Sequence, residues 1–269
     1  HVLPALAVAE ALVARGHDPG SILYAGCERG IETRLVPATS FPYRFYDVVG
    51  FQRSLSRRNL GFLPKLVRGT RQAIKDLRDQ RPAVVVSVGG YASMPSVLAA
   101  RRLKIPVVVV SYDRTPGRAS RLAAKRAVAC AVAFENSPLP RAEVTGAPIR
   151  QSILDVDRRA GRQAARERLG LPDDRFVVAV MGGSQGSGVL NAAIARYLAE
   201  HSDDSGLAVR QAAGERFEAE IERLPLPVFH QLIGYEADMA SVYAAADLLI
   251  GRGGASTVHE IAVTGTPSI

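Results

Sequence analysis

The chain has 269 residues, 47% of them hydrophobic and 22% charged, a balance that excludes a disordered chain and supports one or two buried cores. No run approaches the roughly 18 to 20 uninterrupted apolar residues of a membrane span, and no charged-then-apolar leader opens the sequence, so a soluble intracellular protein is expected. The net charge of +8 and a pI near 9.9 call for an anionic partner: on charge alone a nucleic acid, a phosphate-bearing substrate or a lipid surface.

The sequence opens on His1, and residues 3–15 repeat apolar side chains at helical spacing. A strand is expected over residues 21–25. Cys27, and later Cys130, stand in apolar surroundings with no close Cys and His spacing for zinc, which predicts buried free thiols. Between residues 60 and 81, Leu60, Phe62, Leu63, Leu66 and Ile74 mix with Lys65, Arg68, Arg71, Lys75 and Arg78, after Arg53, Arg57 and Arg58. Such a segment lies on anionic lipid or, more commonly, packs on a core with its basic face in solvent. Strands are expected over residues 83–88, 107–110 and 128–134. The first ends in Ser87-Val88-Gly89-Gly90-Tyr91, and Ala92-Ser93-Met94-Pro95 opens a helix whose N-terminus suits a phosphate. Tyr91 either anchors a ligand or packs.

A densely charged run follows over residues 155–174, with Arg158, Arg159, Arg162, Arg166, Glu167 and Arg168 before Gly170, which suits a helix C-cap, and Pro172. It separates two series of alternating strands and helices, so the fold class is α/β with parallel sheets and two domains, residues 1–149 and 150–269. In the second, strands are expected over residues 176–180, 207–211, 228–232 and 247–250, and a helix over 188–200. Met181-Gly182-Gly183-Ser184-Gln185-Gly186 turns from strand to helix. Glycines there admit a ligand to the backbone, whose free N–H groups attract phosphate, although a tight turn needing small residues has the same form. Ser184 and Gln185 favour the ligand, because a steric turn needs no hydrogen-bonding side chains. After the last strand come Gly251-Arg252-Gly253-Gly254-Ala255-Ser256-Thr257-Val258-His259-Glu260. Glu260 is a candidate for ribose hydroxyls or an ordinary favourable charge near a helix N-terminus. No His spacing or paired-Asp motif predicts a metal. The basic residues lack the aromatic interleaving of single-strand nucleic-acid binders, so no nucleic acid is expected.

Taken in order, His1-Val2-Leu3-Pro4-Ala5-Leu6-Ala7-Val8-Ala9, Gly89-Gly90-Tyr91, Thr145-Gly146-Ala147-Pro148-Ile149-Arg150, the turn leading to Asn191, and the segment from Arg252 to Glu260 resemble the MurG family over the whole chain. The resemblance implies a GT-B fold and inverting transfer of GlcNAc from UDP-GlcNAc to lipid I, undecaprenyl-pyrophosphoryl-muramoyl-pentapeptide, forming lipid II for peptidoglycan. It implies an enzyme without cofactor or catalytic metal, peripheral on the anionic inner face of the cell membrane. By the same resemblance Ser184, Gln185 and Gly186 meet the donor sugar and diphosphate, and Asn191 supports their loop. Arg150 lies at an interdomain cleft, Arg252 and Ala255, Ser256 and Thr257 line the diphosphate, and Glu260 binds ribose. Tyr235-Glu236-Ala237-Asp238-Met239 matches the loop holding uracil, with Glu236 in contact through its backbone and Met239 beside it. Gly89, Gly90, Tyr91 and Asp113 fall to the acceptor side, and His1 matches a histidine suited to deprotonate the acceptor hydroxyl.

The pattern is broken at Val110-Ser111-Tyr112-Asp113, where the family usually has His-Glu-Gln-Asn; an imidazole and a carboxamide are lost and a negative charge is gained. The family's Gly-x-Gly-Gly before the histidine, and its Gln-containing segment and returning helix, fall outside residues 1–269, so the sequence reads as a fragment expected to be inactive alone. Two alternatives remain at this point, another GT-B transferase acting on a glycolipid and a non-catalytic remnant; a nicotinamide-dependent oxidoreductase is disfavoured because no turn spells Gly-x-Gly-x-x-Gly with an acidic residue about 20 positions on.

Overall fold

The computed structural model describes residues 1–50, 61–183, 185–218 and 229–269. The chain divides into two compact units, His1–Arg150 and Gln151–Ile269.

In the first unit, α1 (Val2–Ala14), β1 (Tyr24–Cys27), α2 (Glu32–Leu35), β2 (Tyr43–Tyr46), α3 (Phe62–Gln80), β3 (Val85–Ser87), α4 (Met94–Leu103), β4 (Val107–Ser111), α5 (Arg118–Ala124), β5 (Ala129–Val132) and β6 (Ala142–Val144) follow one another. β1 and β2 pair in parallel, and β3-β4-β5-β6 form a second parallel sheet in sequence order. The consecutive valines of β4 suit a strand covered on both faces. Around it Val97, Ala99, Ala100, Val109, Ala123, Ala124, Cys130 and Val132 form the core. The strand expected from residue 21 starts later. Asp18 accepts from Gly20 N at 3.1 Å and its carbonyl accepts from Ser21 Oγ at 2.7 Å, winding Pro19–Ser21 into a 3-10 turn; only at Tyr24 does the chain meet β2.

The second unit contains α6 (Gln151–Leu154), α7 (Arg158–Leu169), β7 (Phe176–Met181), α8 (Gly188–Glu200), β8 (Leu207–Ala212), α9 (Glu215–Glu218), β9 (Phe229–Ile233), α10 (Met239–Ala245), β10 (Leu248–Gly251) and α11 (Ala255–Thr264). Its parallel sheet has the order β10-β7-β8-β9. Val178 and Val180 of β7 pack with Leu207 and Val209 of β8 and Ile194 and Leu198 of α8. Asp157 caps α7 by accepting from Arg159 N and Ala160 N at 2.8 and 3.0 Å, and Gly170, at φ 64°, ends it in the left-handed region. The arginines of α7 do not all face water. Arg166 is 1% exposed; it pairs with Asp247 at 2.7 Å and donates to the carbonyls of Pro172, Asp173, Arg175 and Ala245. It ties the helix to the strand entries on either side of it.

Candidate functional site

In the second unit Gly251 of β10 stands in register with Met181 of β7. The chain runs from β7 outward to β8 and β9, while β10 takes β7's other flank. Strand order therefore reverses between β7 and β10, and such a reversal leaves a crevice at the carboxyl ends of the strands where ligands bind. Both glycine turns singled out in the sequence open there.

The turn after β7 is built by close backbone approach. Gly183 and Gly186 have φ of 78° and 69°. A Cβ on Gly186 would run into the carbonyl oxygen of Ala213, and one on Gly214 would lie 2.6 Å from Cα of Gly186. The turns after β7 and β8 thus touch backbone to backbone, which only glycine allows. Asn191, buried on α8, braces the same point: its Nδ2 donates to Ala213 O at 3.0 Å, and its Oδ1 accepts from Gln211 Nε2 at 3.0 Å. Gln211 Oε1 lies 3.1 Å from His230 Nε2. Because the Gln211 oxygen can only accept, His230 presents Nε2–H to it. Burial pulls the His230 pKa down, which keeps the ring neutral. Gln185 stands exposed on the turn. Ser184 lies outside the described residues.

The turn after β10 adds charge. A Cβ on Gly183 would be 3.1 Å from Arg252 Nη2, so this guanidinium reaches from one glycine turn to the other. Gly254 precedes α11 without a side-chain cap, leaving the helix's first N–H groups to a ligand oxygen. Ala255, Ser256 and Thr257, each half-buried, form its first turn. Cation, helix dipole and open amides converge, an arrangement suited to a diphosphate. Glu260, one turn deeper, is buried, and its Oε2 accepts from the Tyr243 hydroxyl at 2.7 Å. That bond fastens α11 to α10, a role the sequence does not reveal.

The loop after β9 carries Glu236 and Met239. Glu236 turns inward: Oε2 pairs with Arg210 Nε at 2.7 Å and Oε1 accepts from Asp238 N at 2.9 Å. Its side chain is committed to the protein, leaving the backbone of this loop for a ligand. Met239 is half-buried at the start of α10, which Asp238 caps through Ser241 N.

In the first unit the structure brings His1, Gly89, Gly90 and Tyr112 together. Gly89 and Gly90 have φ of 89° and 74°. A Cβ on Gly90 would lie 2.9 Å from His1 Cδ2, and one on Gly89 3.6 Å from His1 Cε1. The imidazole rests on bare backbone. On its other side Nδ1 is 2.9 Å from the Tyr112 hydroxyl. Tyr91 points elsewhere. Its hydroxyl is 3.7 Å from Cys27 Sγ, and its ring covers Gly50. Cys27 in turn donates to Glu32 Oε1 at 2.9 Å, and Tyr24 donates to Glu32 Oε2 at 3.2 Å. Burial above all, then the contact with Cys27, pushes the Tyr91 pKa up to about 12, so the phenol stays protonated. Burial and the bond to Glu32 raise the Cys27 thiol as well; a protonated thiol in this cluster is a packing group, not a nucleophile. Asp113 is half-buried beyond Tyr112, and Arg150 ends the unit with its Nε buried and without a hydrogen-bond partner among the described residues. Among the described residues no three His, Cys, Asp or Glu side chains gather as a metal site requires.

Two parallel α/β units, one with paired glycine turns at a strand-order reversal, are the parts of a GT-B fold, and comparison with known proteins makes it that of a glycosyltransferase. Sequence models agree: the glycosyltransferase family 28 N-terminal domain matches residues 1–132 and the family 28 C-terminal domain residues 177–269. The chain is 34% identical to the UDP-N-acetylglucosamine--N-acetylmuramyl-(pentapeptide) pyrophosphoryl-undecaprenol N-acetylglucosamine transferase of Acetivibrio thermocellus, covering all of this chain and 74% of that protein. It is 38% identical to the protein of the same name from Clavibacter sepedonicus, covering all of this chain and 72% of the other. The crystal structure of Acinetobacter baumannii MurG superposes with a TM-score of 0.64 at 27% identity, over all of this chain and 74% of that one. The chain belongs to the MurG family.

Proposed function

We propose that this protein transfers GlcNAc from UDP-GlcNAc to the muramoyl sugar of lipid I, with inversion at the anomeric carbon. The observation that carries the donor half is the meeting of Arg252 with the Gly183 turn beside the uncapped N-terminus of α11. In this reading the diphosphate lies on those amides and that guanidinium, and the family resemblance assigns Arg150 and Ser184 to the same ligand. The backbone of the Glu236 loop holds the base, and Glu260, oriented by Tyr243, receives ribose hydroxyls.

The first unit supplies the acceptor side. An acceptor hydroxyl attacks the anomeric carbon from the face opposite the diphosphate, its proton passes to His1, and the bond to the diphosphate oxygen breaks toward UDP. Fixed N–H dipoles and a guanidinium stabilise the charge that develops on that leaving group without reorganising. Full-length protein given UDP-GlcNAc and a short-chain lipid I analogue is expected to yield a β-1,4-linked disaccharide product; its absence would overturn the assignment.

The protein also docks on an anionic membrane in this reading. Among the described residues no helix is long and apolar enough to cross one. On α3, Leu63 and Val67 are 65% and 42% exposed, with Arg68, Arg71, Lys75 and Arg78 exposed further along the helix. Phe62 and Leu66, expected from the sequence to share this face, are half-buried, because Gly69, Ala73 and Leu77 turn the adjoining side of the helix inward. Arg53, Arg57, Arg58 and Leu60 lie outside the described residues. Exposed apolar groups beside cations suit an interfacial helix. The double variant Leu63→Ser and Val67→Ser is expected to weaken binding to vesicles of anionic lipid, and unchanged binding would count against the docking face.

A further inference from the structure

We propose that Tyr112 is a positioning residue that sets the ring orientation and tautomer of His1, so that Nε2 is the atom that receives the acceptor's proton. The inference rests on the transfer reaction proposed above and deepens it.

Three features confine the imidazole. Its Nδ1 lies 2.9 Å from the Tyr112 hydroxyl, and the two rings meet edge to face at 62° with centroids 6.1 Å apart. Its carbon edge lies where a Cβ on Gly90 would be only 2.9 Å from Cδ2. Tyr112 itself is 4% exposed, fixed at the end of β4 between buried Ser111 and half-buried Asp113. With Nδ1 engaged by Tyr112, Nε2 is the ring nitrogen left for the acceptor; it lies over the Gly90 backbone, 3.5 Å from where a Cβ there would be, and His1 is exposed.

A phenol both donates and accepts, so the 2.9 Å bond admits two tautomers. Only one serves a base. When Nδ1–H donates to the Tyr112 oxygen, the lone pair is on Nε2. As the acceptor O–H breaks and Nε2–H forms, the imidazolium keeps its Nδ1–H bond to a neutral phenol, and the oxygen's electron pair goes to the anomeric carbon while the diphosphate departs with the C–O pair. Tyr112 thereby favours the charged form of His1 without adding a charge of its own. The carboxylate next in the chain to Tyr112 is Asp113, half-buried, whereas the hydrogen bond recorded at Nδ1 comes from the uncharged phenol. The sequence motif Val110-Ser111-Tyr112-Asp113, which departs from the family's usual residues, thus still places one hydrogen-bonding side chain against the histidine.

The test uses full-length protein, UDP-GlcNAc and a lipid I analogue. Tyr112→Phe keeps the ring and removes the hydroxyl. We expect kcat to fall about tenfold or more with KM for UDP-GlcNAc unchanged. The acid limb of kcat/KM should move to lower pH, because an imidazolium that loses an acceptor has a lower pKa. Tyr112→Gln, which restores a carbonyl acceptor, should recover most of the rate. In a His1→Ala background Tyr112→Phe should have no further effect. A Phe variant with the wild-type rate and pH profile, or an equal proportional loss with and without His1, would overturn the proposal. Loss of thermal stability with an unmoved pH limb would assign Tyr112 to packing alone and overturn it too. Absence of product from the wild-type protein would instead remove the underlying reaction.

Discussion

The glycine at 186 offers the sharpest test of the donor site, because its environment separates backbone strain from ordinary substitution. Replacing it with alanine places an L-residue at φ 69°, a cost of about 1–2 kcal/mol. It also drives a methyl into the carbonyl of Ala213, a backbone atom held by Asn191 Nδ2, and forced displacement of packed atoms adds about 1–3 kcal/mol. A turn that yields to this by shifting even one amide off the diphosphate loses a hydrogen bond to a charged group, about 1.5–3 kcal/mol, or roughly 10- to 100-fold in UDP affinity. Two companions calibrate the result. Gly183→Ala has a similar φ penalty, but its methyl would meet only the tip of Arg252, which can swing aside, so a smaller loss is expected. Gly161→Ala, within α7 and with nothing in 4 Å of the new methyl, should leave binding unchanged and raise stability by about 0.5–1 kcal/mol. Calorimetric titration of UDP, paired with thermal unfolding, reads both quantities. If Gly186→Ala binds UDP within about twofold of wild type, the close approach of the two turns does not shape the site and the reasoning fails.

Arg166→Met should destabilise the second unit by about 3–5 kcal/mol, since it strips a buried partner from Asp247 and leaves four carbonyls without their donor; Arg162→Met, removing the half-exposed cation on the same carboxylate, should cost no more than about 1 kcal/mol. Denaturation curves of the two proteins check the ranking, and equal costs would refute it. His230, held below the ordinary histidine value by burial, makes stability depend on pH. The unfolded chain takes up a proton near the ordinary value of about 6.5 that the folded ring refuses, so this contribution is complete above that pH and is lost as pH falls below it. Melting temperatures measured downward from neutral pH should fall less steeply for His230→Gln than for wild type, and parallel curves would remove His230 as the cause. Tyr243→Phe leaves Glu260 Oε2 short of a donor and should weaken UDP binding about tenfold; UDP titration would refute this by showing no change.

Much of the α/β architecture is legible because valine runs and glycine turns act locally. Val177, Val178 and Val180, β-branched and closed by a glycine turn, read as a covered strand, and α8 starts and ends where the apolar spacing of residues 188–200 puts it. Other elements lack such a signature. β2 reads Tyr-Arg-Phe-Tyr and is a strand because β1 lies beside it, while β6 is three exposed residues held at the sheet edge by β5. The glycines of the candidate site are equally visible, since a left-handed backbone demands them. What presses on each glycine is not visible: Ala213 on Gly186 and His1 on Gly90 are separated from their partners by 27 and 89 positions in the chain. Likewise, nothing in the spacing of Cys27, Glu32 and Tyr91 announces the hydrogen-bonded cluster that they form.

The distinction has a chemical consequence. Glycine turns define where a diphosphate can approach, but they do not hold their own shape; here that task falls to side chains buried beneath or beside them. Asn191 and Gln211 brace the turn after β7, Tyr243 fixes Glu260 behind the turn after β10, and Tyr112 pins the imidazole over Gly89 and Gly90. Each is an uncharged group, so it orients a neighbour without competing electrostatically with an anionic substrate. A carboxylate at residue 112 would also hold the histidine but would stand as a second negative charge beside Asp113 and a phosphate-rich ligand. The phenol supplies the bond and omits the charge. That is why a departure from the family's residues at this point is compatible with the proton transfer proposed for His1.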